Sequence, residues 1–319
     1  IPSYTVHRQC GSGLQAINSA ALQIQCGISD CIVAGGVESM STAPFYVNNV
    51  RFGVGSGNIE LKDPNTASQS GSQPKSQYTI QTMGHTAENI AKLYHITQKE
   101  QDEFAYYSQL KADAAIRNGL FKEQILPYKI NKKKTEVIFD TDEHPRLSSL
   151  DKLSTLPPAF IENGTVTAGN SSGRNDGASA LLITSLEYAQ EMDLSPKVKI
   201  IAQAASGCDP NTMGLGPVYA TKKALEQAQL SMTDIDIIEL NEAFASQSIA
   251  CIREMGVDEE RVNPNGGAIA LGHPIGATGA ILMTKLIHEL ERTGKRYGLV
   301  TLCIAGGLGI STIVENLRI

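Results

Sequence analysis

The sequence predicts an α/β fold in which a mainly parallel sheet is covered by helices on both faces. Short, continuously apolar runs of strand length alternate with longer runs of small and apolar residues that have the helical period. Glycine pairs close several of the apolar runs, as expected where strands end in turns. The chain has 319 residues, of which 41% are hydrophobic, so it can bury more than one core.

The first part of the chain predicts a strand, a helix and a second strand. The strands cover residues 4–8 and 31–34, and the helix covers residues 11–25. Gly35 and Gly36 are expected to stop the second strand. Cys10 therefore lies at the point where a strand becomes a helix.

The character of the sequence changes between about residues 48 and 160. Residues 53–80 are rich in glycine, serine, asparagine and glutamine and predict a long surface loop. A helical region follows from Thr86, and Thr97 and Glu100 have the spacing of a capping box before a second helix. This stretch predicts an insertion into the sheet domain.

The α/β pattern returns after Thr165. The predicted strands are residues 198–202, 235–240, 299–303 and 310–314. The predicted helices are residues 221–229, 242–255 and 276–292.

Two short stretches of the chain resemble each other, CIVAGG at residues 31–36 and LCIAGG at residues 302–307. Each closes a strand after a small-residue helix, which suggests two copies of one α/β unit, with a chance match as the alternative. If the copies are real, residues 4–10 correspond to about residues 261–265, and the strands and helices before this point in the second copy have no counterpart in the first. If the repeat is real, the chain lacks the opening βαβα of its first half.

Composition and charge disfavour several classes of function. The net charge is −6 and no long basic run is present, so nucleic-acid binding is not expected. No run of 18 apolar residues predicts a membrane span. The six cysteines are irregularly spaced, which favours free thiols in the cytoplasm over a zinc site or a disulfide framework.

Cys10 and His273 are the first candidates for chemistry. A thiol at a helix N-terminus meets unpaired backbone N–H groups and the positive end of the helix dipole, which lower its pKa. His273 is held by a proline in a glycine-rich loop just before a helix, the kind of loop that carries function. A small buried cysteine and a hydrogen-bonded loop histidine are the alternative interpretations.

Asn241 and Cys303 each follow or end a predicted buried strand. In α/β sheets ligands bind beyond the carboxyl ends of strands, and Cys10 occupies a similar position. The loop of His273 could reach the same edge. The sequence therefore predicts one site built from these four residues, with a core cysteine as the alternative for Cys303.

Seven motifs, spread over nearly the whole chain, resemble one family. They are CGSGLQA from Cys10, GGVESMS from Gly35, MGHTAEN from Met83, TVTAGNSSGRNDGA from Thr165, NEAFA from Asn241, NGGAIALGHPIGATG from Asn265 and CIAGGLG from Cys303. In this order they resemble the thiolases, which make or cleave 3-ketoacyl-CoA.

The resemblance implies a thiolase-like fold with two pseudo-repeated α/β halves in a layered αβαβα arrangement and an inserted loop domain. The N-terminal half is expected at residues 1–45 and 161–195 without its opening strands, the loop domain over CoA at 46–160, and the C-terminal half at 196–319. It also implies CoA and acyl-CoA as substrates, no tightly bound cofactor, no metal, and a homodimer or homotetramer.

The resemblance also implies roles for the site residues. Cys10 is the nucleophile that takes the acyl group, and His273 helps to form its thiolate. Cys303 acts as acid and base. His273 and a water held by Asn241 form one oxyanion site, and the backbone N–H groups of Cys10 and Ala305 form another.

Four further residues resemble positions that contact the substrate. Arg146 is expected near the nucleotide end of CoA and Ser172 at its pantetheine arm, whereas Met83 and Phe244 are expected as walls of the acyl pocket. The alternatives are a solvated arginine, a turn serine and ordinary core residues.

The sequence departs from the family pattern at three positions. His7 stands where asparagine is common, and Thr82 stands where the acetoacetyl-type enzymes usually have histidine. Ala305 replaces a glycine, and a positive φ there would be strained.

The implied activity is that of an acyl-CoA C-acyltransferase of fatty acid metabolism, acting on substrates such as acetoacetyl-CoA by a ping-pong mechanism through acyl-Cys10. Three alternatives stay open. They are a longer-chain 3-ketoacyl-CoA thiolase, a thiolase-like CoA-binding protein without turnover, and a cysteine hydrolase that uses Cys10 and His273.

Overall fold

The computed structural model describes residues 1–67, 71–74, 76–79, 81–132 and 135–318. The strands of this part are β1 (Cys31–Glu38), β2 (Tyr128–Lys132), β3 (Thr135–Phe139), β4 (Gly177–Thr184), β5 (Val198–Gly207), β6 (Ile237–Leu240), β7 (Tyr297–Ile304) and β8 (Leu308–Asn316). The helices are α1 (Ser12–Gln25), α2 (Pro64–Ala67), α3 (Met83–Leu93), α4 (Gln98–Arg117), α5 (Leu150–Ser154), α6 (Leu186–Glu191), α7 (Gly216–Ala228), α8 (Ala245–Met255), α9 (Ala268–Leu271) and α10 (Thr278–Thr293).

Two sheets form the frame of the molecule. Strands β5, β8, β7 and β6 form one sheet in this order, and β1 pairs with β4 in the other. Only β6 and β7 run parallel within these two sheets, so the prediction of a mainly parallel sheet is wrong. The three-residue turn between β7 and β8 is too short for a parallel crossover, which forces these neighbours to be antiparallel.

The sheets and helices lie in layers. Helices α1 and α10 pack between the two sheets, sharing a core with β1 and β4 on one side and with β7 and β8 on the other. Helices α7 and α8 cover the opposite face of the four-stranded sheet. The described residues therefore supply four layers of the expected αβαβα arrangement, and the α/β prediction is confirmed.

Two glycines let α1 and α10 approach closely at their first turns. A Cβ at Gly13 would lie 2.9 Å from the backbone N of Ala280. A Cβ at Gly279 would in turn overlap the backbone N of Leu14. The contact is reciprocal, and it brings the N-terminal ends of the two central helices together.

Strand β1 continues through Gly35 and Gly36, which were expected to end it. A Cβ at Gly35 would overlap the Ser179 carbonyl on β4, and one at Gly36 would overlap the Gly276 carbonyl before α10. These glycines therefore serve close backbone approach within the strand, not a turn.

Residues 4–8 form no strand, so that prediction is wrong. A strand needs a neighbour to complete its hydrogen bonds, and no described strand pairs with this segment. Its side chains still make contacts, since Tyr4 accepts a hydrogen bond from Gln23 at 2.6 Å.

The segment between β1 and β4 carries helices α2 to α5, and the two strands nevertheless pair over their full length. The capping box of α4 is confirmed, with Thr97 and Glu100 bonded to each other's backbone. Helix α3 begins at Met83, capped by Thr82, earlier than expected. Part of residues 53–80 lies outside the described residues, and the domain boundaries at 45, 160 and 195 stay predictions.

Among the described residues, no helix is both long enough and apolar enough to cross a membrane.

Candidate active site

Cys10 sits in a single 3₁₀ turn, Gln9–Gly11, that leads into α1. The turn is held by Ser12, whose hydroxyl accepts from the Arg8 N–H at 2.9 Å and donates to the Gln9 carbonyl at 2.7 Å. Gln9 has a φ of 48°, an uncommon value for a side chain other than glycine. The backbone is therefore bent at the residue that precedes the thiol.

Burial raises the pKa of the Cys10 thiol to about 11. The N–H groups of Ala305 and of Cys10 itself oppose this increase, whereas the negative charge of Glu38 adds to it. The backbone N–H groups lower the pKa as expected, but the loss of hydration outweighs them, so the net shift is upward and not downward. Cys10 is thus a neutral thiol near pH 7 and needs a base.

Cys303 lies next to last in β7 and is fully buried. Burial raises the pKa of its thiol, and the neighbouring Cys10 raises it further. A Cβ at Gly11 would lie 2.5 Å from the Ile304 side chain. Glycine at position 11 therefore lets the Cys10 turn rest directly on the end of β7, which brings the two thiols together.

Ala305 carries no backbone strain. The positive φ values of the turn after β7 fall on Gly306 and Gly307, at 91° and 82°. The strain expected at Ala305 is therefore absent, and its backbone N–H lowers the pKa of the Cys10 thiol.

His273 is a neutral base with a defined tautomer. Burial lowers its pKa to about 4. Its Nδ1 lies 2.6 Å from the Thr278 hydroxyl, which itself donates to the Pro274 carbonyl at 2.9 Å. Since that hydroxyl has one hydrogen, Nδ1 carries the imidazole proton and donates it to Thr278. Nε2 is left as an acceptor, with the Asn241 amide nitrogen 3.5 Å away.

Asn241 follows β6, and its N–H donates to the Thr301 carbonyl at 3.0 Å. Its side-chain Nδ2 lies 3.5 Å from the His273 Nε2. The Asn241 Oδ1 is buried and has no partner among the described residues. This orphaned acceptor fits the predicted role of holding a water.

An apolar cluster surrounds Cys303 and includes both predicted pocket walls. Met83 packs against it from the start of α3, and Phe244 is part of it. The rings of Phe160 and Phe244 meet edge to face at a centroid distance of 5.8 Å. An acyl chain near Cys303 would therefore meet apolar side chains.

The two residues predicted to contact CoA lie in segments that touch, since a Cβ at Gly173 would overlap the His144 ring. Ser172 lies beside the pocket wall, since its N–H donates to the Ala243 carbonyl at 3.0 Å. Arg146 is exposed, and its N–H donates to the Gln109 side chain at 2.9 Å. No described contact joins Arg146 to the catalytic candidates.

Sequence reasoning missed Thr278, which sets the tautomer of His273, and the glycine contact between α1 and α10. A signal was present, because Ser12-Gly13 opens α1 in the same way that Thr278-Gly279 opens α10. A longer comparison of the two copies could have found it.

The described residues thus place two thiols and backbone donors at the start of α1, and a neutral imidazole just before α10, whose first turn touches that of α1. These are the parts needed for a covalent acyl transfer. No group of three or more His, Cys, Asp or Glu side chains among them is placed to hold a metal ion.

Family models match nearly the whole chain. The thiolase N-terminal domain model matches residues 1–187, and the thiolase C-terminal domain model matches residues 194–316.

Relatives and solved structures agree with these matches. The chain is 46% identical to acetyl-CoA acetyltransferase of Syntrophomonas wolfei, over 99% of this chain and 80% of that protein. It is 48% identical to beta-ketothiolase BktB of Cupriavidus necator, over 99% of this chain and 79% of that protein. The human mitochondrial 3-ketoacyl-CoA thiolase in complex with CoA superposes with a TM-score of 0.93 at 41% identity, covering 99% of this chain and 78% of that one. The chain therefore belongs to the thiolase family of acyltransferases.

Proposed function

We propose that this chain interconverts acetyl-CoA and 3-ketoacyl-CoA, such as acetoacetyl-CoA, through an acyl group carried on Cys10. The observation that carries the proposal is the meeting of two buried thiols: Gly11, next to Cys10, packs directly against Ile304, next to Cys303, and Cys10 raises the pKa of the Cys303 thiol. A hydrolase would leave the second thiol without a role, whereas formation of a carbon–carbon bond needs both a nucleophile and a separate base.

In the first step the neutral His273 accepts the Cys10 proton at Nε2, and the thiolate attacks the thioester carbonyl. Thr278 keeps the other ring nitrogen protonated, so the cation that forms is oriented for this transfer. The N–H groups of Cys10 and Ala305 stabilise the oxyanion of the tetrahedral intermediate. The CoA sulfur leaves with the proton of Cys303, and Cys303 becomes a thiolate.

In the second step the Cys303 thiolate removes the α-proton of a second acyl-CoA. The protonated Nε2 of His273 and a water held by Asn241 stabilise the enolate oxygen. The α-carbon attacks the acyl-Cys10 thioester, which forms the 3-ketoacyl product and releases the Cys10 sulfur. Cys10 then recovers its proton from His273, and every group returns to its starting state.

CoA is the proposed carrier of both acyl groups, in line with the CoA complex of the human mitochondrial relative. We place the loop domain at residues 46–160, with Arg146 at the nucleotide end of CoA and Ser172 at the pantetheine arm. Met83 and Phe244 line the acyl pocket. A homodimer or homotetramer, a place in fatty acid metabolism and a cytoplasmic location complete the proposal, and the six free cysteines agree with the last.

The division of roles between the thiols is tested by acylation in a single turnover. The wild-type chain is mixed with acetyl-CoA and its mass is measured after a rapid quench. Cys10→Ala should abolish the acetyl adduct, whereas Cys303→Ala should still form it but fail to complete the cycle. Cys251→Ala, which removes another fully buried thiol, is the matched control.

Two outcomes contradict the proposal. Equal loss of the adduct in Cys10→Ala and Cys303→Ala would remove the division of roles. A wild-type chain that binds CoA but forms no adduct would be a CoA-binding protein without turnover.

A thiolase for longer acyl chains is the second candidate. Thr82, at the position where acetoacetyl-type enzymes usually have histidine, caps α3 and contacts the His85 ring at 2.7 Å. The comparison that separates the two is kcat/KM for thiolysis of acetoacetyl-CoA against a longer 3-ketoacyl-CoA. A higher value for the longer substrate selects the second candidate.

A further inference from the structure

Lys285 is a buried lysine of α10 that lies outside the catalytic set. Its side chain is only 5% exposed, and its ammonium group donates to the Glu239 carboxylate and to the Gly266 carbonyl, each at 2.7 Å. Glu239 is fully buried on β6, two residues before Asn241. A buried ion pair seldom adds net stability compared with an apolar pair of the same size, because both charges lose hydration.

The carbonyl that Lys285 holds belongs to the loop between Asn263 and His273. Gly266 has a φ of 80°, and a Cβ there would lie 2.7 Å from the Ala112 side chain and 2.8 Å from the Ser108 carbonyl on α4. The loop therefore turns sharply at Gly266 while pressed against a helix. Its carbonyl faces inward, where water could not replace the lysine without opening the packing.

The same loop is tied to the site by other polar contacts. Glu242 accepts from the Asn263 side chain at 2.7 Å and from the Ile269 N–H at 3.3 Å. The Gly267 N–H donates to the Ser108 hydroxyl at 3.1 Å. Helix α9 starts directly after this point and ends two residues before His273. A shift at Gly266 therefore moves α9 and the imidazole.

We propose that Lys285 is a positioning residue, which holds the Gly266 carbonyl and so fixes the loop that presents His273 to Asn241. Glu239 neutralises the buried ammonium. Only one of its two oxygens has a partner among the described residues, and that partner is Lys285. The pKa of Glu239 is raised by burial to about 6, and the attraction of Lys285 opposes the increase. The proposal rests on the proposed function only where turnover is measured.

The test uses Lys285→Met, Glu239→Gln and the double variant. Four quantities are measured: kcat and KM for thiolysis of acetoacetyl-CoA, the melting temperature, and hydrogen exchange of residues 267–273. Lys285→Met should lower kcat about 10-fold or more with KM changed less than about two-fold, since small misplacement of a catalytic group is costly. It should also lower the melting temperature and speed exchange in the loop.

The double variant distinguishes a positioning role of Lys285 from a purely stabilising one. It leaves no unpaired buried carboxylate, so it should recover most of the melting temperature lost in Lys285→Met. Its kcat should stay low and its loop exchange fast, because Gly266 still lacks a donor. Glu239→Gln keeps an amide oxygen for the lysine and should lose less kcat than Lys285→Met. Lys222→Met removes an exposed cation from α7, with little effect on kcat or loop exchange expected.

Two results would overturn the proposal. The first is recovery of kcat together with the melting temperature in the double variant, which would make the pair purely structural. The second is unchanged exchange of residues 267–273 in Lys285→Met. The hydrogen-exchange measurement needs no turnover. An inactive wild-type chain would therefore contradict the proposed function, while the exchange of residues 267–273 would still test the role of Lys285.

Discussion

Two regions of the molecule are built alike and end up in different surroundings. Helix α1 leads into β1, which pairs with β4, and helix α10 leads into β7, which pairs with β8. The second pair is joined by a three-residue turn, whereas the first is interrupted by helices α2 to α5. The antiparallel pairing is the same in both regions. The unit of one helix and two paired strands is therefore preserved despite the insertion of helices α2 to α5.

The outer faces of the two units differ in burial. Strand β7 is buried almost throughout, but in the first unit Val33 and Val37 are 72% and 74% exposed, and Leu182 on β4 is 55% exposed. Strands β6 and β5 flank the second pair, and α7 and α8 cover it. The described residues supply no such neighbours to the first pair. Neighbours therefore decide whether an apolar strand is buried.

The two units contact each other at the candidate active site. Cys10 precedes α1 and His273 precedes α10, and the first turns of these helices touch through Gly13 and Gly279. Each unit therefore contributes one candidate residue at their contact. The proposed nucleophile and the proposed base come from different units.

The largest expected effect comes from truncating one leucine in each unit. Leu302→Ala, in the buried strand β7, should lower the free energy of unfolding by about 4 kcal/mol through lost burial and a cavity. Leu182→Ala, on the exposed face of β4, should cost less than about 1 kcal/mol. Urea unfolding measures both values. Equal losses would show that the exposed face is covered in solution.

The second-largest expected effect is the contribution of His273 to the pH dependence of the free energy of unfolding. The folded pKa of this histidine, about 4, lies below the unfolded value near 6.5, so the unfolded chain binds the extra proton between these values. The free energy of unfolding should therefore be constant above pH 6.5 and fall by about 3 kcal/mol towards pH 4. His273→Gln should remove that part of the decrease.

The exposed His7 provides the control for this measurement, because His7→Gln should follow the wild-type curve. Unfolding is measured in urea at each pH. Parallel curves for wild type and His273→Gln would contradict the buried, neutral imidazole.

The smallest expected effect tests the contact between the first turns of α1 and α10. Gly279→Ala places a Cβ against the backbone of Leu14 and should cost about 2 kcal/mol of unfolding free energy, with a fall in kcat as the helix ends separate. A Cβ at Gly55 meets nothing within 4 Å, so Gly55→Ala is the matched control. An unchanged Gly279→Ala variant would mean that the helices do not touch.

Much of the fold could be predicted from local patterns. The four strands and three helices predicted after Thr165 were placed within about five residues at each end, because apolar period and glycine boundaries are local signals. Strand β4 and helices α6 and α9 were not predicted. The predicted strand at residues 4–8 was wrong, because strand pairing depends on a distant neighbour. The predicted end of β1 was wrong, because Gly35 and Gly36 have the composition of a turn.

The sequence by itself determined the α/β class, the capping box of α4 and the residue types of the site, because these depend on chemistry within one segment. Only the tertiary structure decided which strands pair, that α1 and α10 touch through glycine, and that Thr278 sets the tautomer of His273. It also reversed the expected direction of the Cys10 pKa. The helix N-terminus is a local influence, whereas the burial that outweighs it depends on tertiary packing, since Ile304 and Ile310 lie against Gly11.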